Sequence, residues 1–108
     1  MSNAPFLIKQ DDLLPVIQAV LKDDNGIVDL TNASAVSLVL KKRRSGSAST
    51  KSASFGTKAS GEVRYAWQSG DTAAIGIYDV EWKVTISGSV MTFPNGTNDV
   101  VEIYPKLT

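Results

Sequence analysis

The sequence contains no cysteine and no histidine. Without thiols there is neither a disulfide framework nor a thiolate metal site. Without imidazole the usual zinc ligand sets, the Ser-His and Cys-His nucleophile pairs, and the side chain best suited to proton transfer near neutrality are all excluded. Net charge is missing as well, because eleven basic residues balance eleven acidic ones; a phosphate-tracking surface for nucleic acid is therefore not expected. No apolar run approaches the ~20 residues of a membrane-spanning helix. The opening "MSNAPFLIKQDD" has neither the basic leader nor the long apolar core of a secretory signal.

What is present is the composition of a globular domain, 43% hydrophobic and 20% charged over 108 residues, which suits one packed core. Residues 1–5, with Ser2-Asn3-Ala4, are expected to be disordered or tag-derived, and 6–108 to form a single domain. Charge is unevenly spread. Lys41, Lys42, Arg43, Arg44, Lys51 and Lys58 fall in a stretch without an acid, whereas Asp11, Asp12, Asp23, Asp24 and Asp29 crowd the first thirty positions. Such polarity suits ordered association better than nonspecific binding to a polyanion.

Period-two alternation dominates the chain. In "IYDVEWKVTI", Tyr78, Val80, Trp82, Val84 and Ile86 share one face, and Ile77, Asp79, Glu81, Lys83 and Thr85 share the other. The same pattern groups Val63, Tyr65 and Trp67, then Val36, Leu38 and Leu40, then Ile17, Ala19 and Leu21. Shorter strands are expected at "FLIKQ", "IVDL", "VMTFP" and "VVEIY". The predicted core includes Leu38, Leu40, Val63, Tyr65, Trp67, Val80, Trp82 and Val84. No stretch carries a helical stripe, so the chain reads as all-β. An Asn25-Gly26 step and a reversal at "ISGSV" predict tight hairpins with antiparallel neighbours. The Ser-, Gly- and Ala-rich stretch 45–60 reads as a flexible loop or irregular edge strand anchored by Phe55, with a partner-ordered loop as the alternative.

About seven short strands with regular turn signals predict an immunoglobulin-like antiparallel β-sandwich without a disulfide. In such sandwiches a Tyr near the start of strand F folds its hydroxyl back onto the preceding corner. Tyr78 takes that place here, with Val80 as the buried position. Asp71 would cap backbone amides in the preceding loop, and Gly76 would let the chain enter the strand without steric penalty. These three residues therefore read as a structural corner rather than an acid–base site, since no pocket or partner for catalysis is indicated.

The order of these landmarks resembles the immunoglobulin-like N-terminal domain of tailed-bacteriophage baseplate upper proteins and related small phage structural proteins. An acid before "LP" is matched by Asp12, Leu14 and Pro15. A Gly hairpin followed by "DLT" is matched by Gly26, Asp29, Leu30 and Thr31. The closing pattern "G-x-V-x-Y-x-W…D-T…G-x-Y-x-x-E" and "T-F-P" is matched by Gly61, Val63, Tyr65, Trp67, Asp71, Thr72, Gly76, Tyr78, Glu81, Thr92, Phe93 and Pro94. In that family the domain opens a longer chain, whereas this sequence ends at Thr108. The resemblance implies a virion structural module, assembled in the bacterial cytoplasm, and leaves its place open among baseplate, neck, fibre and capsid.

A module of this kind acts through surfaces. The candidate contact residues are Val39 and Ile77, apolar on otherwise polar faces; the basic run Lys41, Lys42, Arg43 and Arg44; and Tyr104, which with Val100 lies opposite Val101 and Ile103. The expected partners are other virion proteins and copies of the same chain, with no nucleic acid, membrane, small-molecule substrate or cofactor. "DDNGIVD" departs from the ligand spacing of a calcium loop, and an Asn-Gly hairpin already accounts for it. "NAS" at 32–34 and "NGT" at 95–97 are formal glycosylation sequons without meaning in a bacterium. The readings that compete with a tail, baseplate or neck module are a capsid decoration protein and a carbohydrate-binding or host-attachment module. Enzyme action is not expected, because Asp11 and Asp12 are adjacent and point to opposite sides of an extended chain.

Overall fold

Alternation of the kind seen in "IYDVEWKVTI" is stable only when one face of the strand is covered. The fold supplies that cover with a second sheet. The structure, a computed structural model, describes residues 6–44, 47–94 and 100–107. The NGT sequon at 95–97 and the N-terminal residues 1–5 lie outside the described residues, whereas the NAS sequon at 32–34 runs into the start of the strand Ala33–Lys42.

Among the described residues the chain forms strand segments β1 (Phe6–Lys9), β2 (Ile17–Val20), β3 (Lys22–Asp23), β4 (Gly26–Ile27), β5 (Ala33–Lys42), β6 (Ala48–Ser52), β7 (Ser54–Phe55), β8 (Glu62–Tyr65), β9 (Gly76–Ile86), β10 (Ser89–Pro94) and β11 (Val100–Tyr104), with one 3-10 turn at Lys58–Ser60. The larger sheet runs β1-β11-β9-β5-β6. β10 and β11 follow one another along the same edge of β9, β10 facing Glu81–Ile86 and β11 facing Gly76–Asp79. The smaller sheet is β2-β8-β7, and β3 and β4 form a separate hairpin.

This is an all-β, immunoglobulin-like sandwich, and it differs from the expectation in one pairing. β1 runs parallel to β11, with Phe6 opposite Val101 and Lys9 opposite Tyr104. The two strands come from opposite ends of the sequence, so no hairpin fixes their relative direction.

The inward faces of both sheets meet in one apolar cluster. β2 supplies Ile17 and Ala19, β5 supplies Val36, Leu38 and Leu40, β8 supplies Val63 and Tyr65, β9 supplies Val80, Trp82 and Val84, and β11 supplies Val101 and Ile103. All eight residues named above as core are buried. At ~25 cal/mol per Å² of apolar surface, each large side chain in this cluster contributes a few kcal/mol relative to exposure.

Residues 47–60, within the small-residue stretch, are more ordered than their composition suggests. Ala48–Ser52 pairs with β5 as the edge of the larger sheet, and Ser54–Phe55 pairs with β8 in the smaller one. The chain changes sheets at Ala53, whose N–H donates to the Val36 carbonyl at 2.9 Å. Small side chains suit such a crossing because they demand little room between the layers.

Two turns differ in detail from one another. At Ser87-Gly88 both residues have positive φ, 51° and 83°, which is the mirror-type two-residue hairpin turn. In the β3–β4 hairpin only Gly26 has positive φ, at 108°. The expected left-handed Asn-Gly pair is therefore not formed: Asn25 lacks a positive φ, and its N–H bonds the Asp23 carboxylate at 2.8 Å. The segment "IVDL" contributes only Ile27 to a strand. Asp29 turns the chain instead, accepting from the Thr31 N–H at 2.9 Å and the Thr31 hydroxyl at 2.5 Å.

Candidate functional site

Strand β8 leaves the smaller sheet at Tyr65, and β9 enters the larger one at Gly76. The ten residues between them must bridge two layers with few backbone pairings of their own. Side chains take over that work. Asp71 accepts from the Tyr65 hydroxyl and from the Gln68 N–H at 2.8 Å. Its other oxygen lies 3.2 Å from Lys51 Nζ, in β6 of the opposite sheet, with the carboxylate side chain only 9% exposed. One acid thus ties β8, its following loop and β6 together.

Neighbouring bonds extend this knot. The Thr72 hydroxyl, fully buried, donates to the Asp12 carbonyl at 2.9 Å, and the Trp67 indole N–H donates to the Pro15 carbonyl at 3.0 Å. Trp67 also meets Tyr65 edge-on at 5.5 Å and Phe6 at 6.0 Å. Tyr78 donates its hydroxyl to the Ala74 carbonyl at 2.7 Å, four residues back. Gly76 has φ of +145°, a conformation that side chains rarely adopt, and a Cβ there would lie 2.8 Å from Lys42 Cε.

The electrostatics of this knot oppose acid–base chemistry. Burial alone would raise the Asp71 pKa, but the bonds from Tyr65, the Gln68 amide and Lys51 outweigh it and hold the carboxyl below its ordinary value. Burial first, then the Asp71 carboxylate, pushes the Tyr65 phenol up. Burial likewise raises Tyr78. At neutral pH the acid is ionised with its oxygens engaged by donors, and the phenols keep their protons. Neither a poised base nor a poised acid results.

An open groove of about 500 Å³ lies beside the knot, lined in part by Thr50, Lys51, Ser52, Ser54, Gln68 and Asp71. A second hollow of about 330 Å³ is formed by Gln18, Val20, Gly56, Glu62 and Arg64 among others. Among the described residues no group of three or more acidic side chains is placed to hold a metal ion.

The candidate contact residues fall in several places. Lys41 lies opposite Asp79 in register, and Arg43 Nε pairs with the Asp79 carboxylate at 3.0 Å. Ile77, 38% exposed, is opposite Glu102, with Leu7 beyond it on β1. Tyr104 is half-buried, with the Lys9 ammonium 5.9 Å from its ring centre. These groups share the outer face of the larger sheet. Lys42 leaves that set, because it is opposite Tyr78 and its stem lies against Gly76. Arg44 lies in the turn after β5, with φ of +66°.

Val39 requires a correction. It points to the outer face as expected but is only 9% exposed, flanked in register by Thr50 and Glu81. The neighbouring side chains close over it, so it offers little to a partner.

Sequence reasoning missed Lys51 and Thr72 as members of the knot. Lys51 could have been noticed as the only charge in a small-residue strand, but its inward direction depends on which sheet that strand joins. Leu14 and Val90, among the most exposed large apolar side chains, were also passed over.

A scan against protein-family models finds no match, and a search of curated proteins finds no significant relative.

Proposed function

We propose that this protein is a non-enzymatic structural component of a tailed-bacteriophage virion. It works as an assembly or adaptor module of the tail, baseplate or neck, through surface contacts with other virion proteins and with copies of itself. The observation that carries the reading is that residues of the phage-like pattern bond to one another. Tyr65 bonds Asp71, Thr72 bonds the Asp12 carbonyl, and Trp67 bonds the Pro15 carbonyl. Residues matched to a spaced pattern by chance have no reason to meet at one end of a fold.

The chemistry of the corner supports the same reading. Its acid and phenols are spent on holding loops, which leaves the outer surfaces to carry function. A sugar site built on a tryptophan platform finds no support, since Trp67 and Trp82 are 3% and 0% exposed.

The test is the location and copy number of the chain in purified virions, by cryo-electron microscopy and quantitative mass spectrometry against the major capsid protein. About six to a few dozen copies at the tail, neck or baseplate are expected for a ring component. Hundreds over the head would make it a decoration protein, and absence from particles would refute a virion role.

A further inference from the structure

β6 is an edge strand of the larger sheet, and among the described residues no strand pairs with its outer side. Proteins commonly blunt such edges with lysines, prolines, bulges or very short strands. Elsewhere on the larger sheet, β1 ends in Lys9 and β10 ends in Pro94. β6 is the five-residue strand Ala48–Ser52, "ASTKS", regular in its pairing with β5 and without proline. Its single lysine does not guard it. Lys51 lies opposite Leu38, on the inner face, and is drawn to Asp71 at 3.2 Å. The side chains left along the edge are Ala, Ser and Thr, small and uncharged.

The ladder fixes which backbone groups are available. Ala53 N–H donates to the Val36 carbonyl. Strict alternation along the register then places the β5-directed bonds at Lys51 and Ser49. The N–H and C=O groups of Ala48, Thr50 and Ser52 therefore point away from β5, to the open side. Ala48, Ser49, Thr50 and Ser52 are all exposed, and Thr50 and Ser52 also line the groove of about 500 Å³ beside the knot.

We propose that the chain self-associates through this edge, a second copy laying its own Ala48–Ser52 antiparallel across a two-fold axis at Thr50. The register follows from the free groups. Pairing Thr50 with Thr50 places Ala48 opposite Ser52 on both sides, and every outward N–H and C=O of the two strands finds a partner. It keeps the outer faces of the two sheets continuous, sets a Thr-Thr cross-strand pair at the centre, and puts Lys51 opposite Ser49 rather than opposite its own copy. An isologous contact of this kind closes as a dimer. The interface is narrow, so association is weak in solution and strengthened when other contacts hold copies side by side. The inference deepens the assembly reading by naming one of its contacts, and the two fail separately: a chain found in virions yet unable to pair by β6 refutes the edge alone.

The absence of native cysteine allows a clean test on the full chain. Thr50→Cys, Ser52→Cys and, as an exposed loop control, Ser69→Cys are oxidised mildly at matched concentration. Opposed Cα atoms in such a pair are ~5.5 Å apart, within disulfide reach, whereas two copies of position 52 are four residues out of step, ~13 Å. Thr50→Cys is expected to form a covalent dimer at least about tenfold faster than either other variant. In the cysteine-free chain, sedimentation should show a dimer that grows with concentration, and Thr50→Lys or Thr50→Pro should weaken it by at least about tenfold. Thermal unfolding of both variants verifies that they fold; Thr50 N–H is outside the β5 ladder, so neither breaks it. Equal cross-linking at positions 50, 52 and 69 would overturn the proposal. So would a chain that stays monomeric to about 1 mM, which would assign the edge to an extended segment of a different protein.

Discussion

The two ends of this sandwich are closed in different ways. At one end, the loop before β2 and the loop between β8 and β9 are held by side chains that reach between distant parts of the sequence: Asp71 to Lys51, Thr72 to Asp12, Trp67 to Pro15. At the other, the β3–β4 and β9–β10 hairpins close through local backbone turns and one Asp23 side chain. Local turns remain largely satisfied when a single side chain is lost, because water replaces an exposed partner. A buried knot does not, because each lost member strands its partners away from solvent. Substitutions at the first end should therefore cost several times more than at the second.

The largest effect is expected at the centre of the knot. Asp71→Ala leaves the Tyr65 hydroxyl, the Gln68 amide and Lys51 without their acceptor, and should lower unfolding free energy by about 3 kcal/mol. Asp23→Ala, at the exposed hairpin, should cost about 0.5 kcal/mol. Urea unfolding of both variants measures the contrast, and equal losses would break it.

Acid sharpens the same comparison. The Asp71 pKa is lowered in the fold from its ordinary value of 3.8. Its contribution is therefore fully present well above that value and is lost as pH falls through the lower folded pKa. Unfolding measured from pH 6 downward should show stability falling in the parent protein as this group protonates, and a flatter acid limb in Asp71→Asn. Tyr65 and Tyr78 act in the opposite direction. Their raised pKa values favour the neutral phenol, so their contribution is present below the ordinary value of 10.0 and lost as pH rises through the folded values.

Gly76→Ala should cost about 2 kcal/mol through the backbone conformation it forbids. The flexible end of Lys42 can move aside, so sterics add little. A smaller loss than that of Gly88→Ala, at the hairpin end, would contradict the ordering of the two ends.

The two tryptophans separate hydrogen bonding from packing. Trp67 uses its indole N–H on Pro15, whereas the fully buried Trp82 N–H has no partner among the described residues. Each Trp→Phe change loses ring volume, but only Trp67→Phe also orphans an acceptor. Thermal unfolding should place Trp67→Phe about 1 kcal/mol below Trp82→Phe once the volume term is matched by the corresponding Leu variants. Tyr78→Phe, which removes a single bond to Ala74, should cost about 1 kcal/mol.

Much of the sandwich was readable from alternation alone. Trp82 and Val84 are buried for the same reason that Lys83 is not, since successive side chains on a strand face opposite ways. The Tyr78 and Gly76 positions were likewise readable, because both act within a few residues of the turn they serve. Stretch 45–60 was not. Its small side chains carry no apolar period, and the strands at 48–52 and 54–55 come from ladders to β5 and β8 rather than from local composition.

The sequence by itself therefore determined the strands that carry an apolar period, their inward residues and the Tyr78 corner, all of which depend on neighbours two to four positions apart. Only the tertiary structure decided that β1 lies parallel to β11, that Val39 is covered, and that Lys51 turns inward to Asp71. Those outcomes depend on which sheet a segment joins and on partners many residues away, and period two is the same for either sheet and either direction.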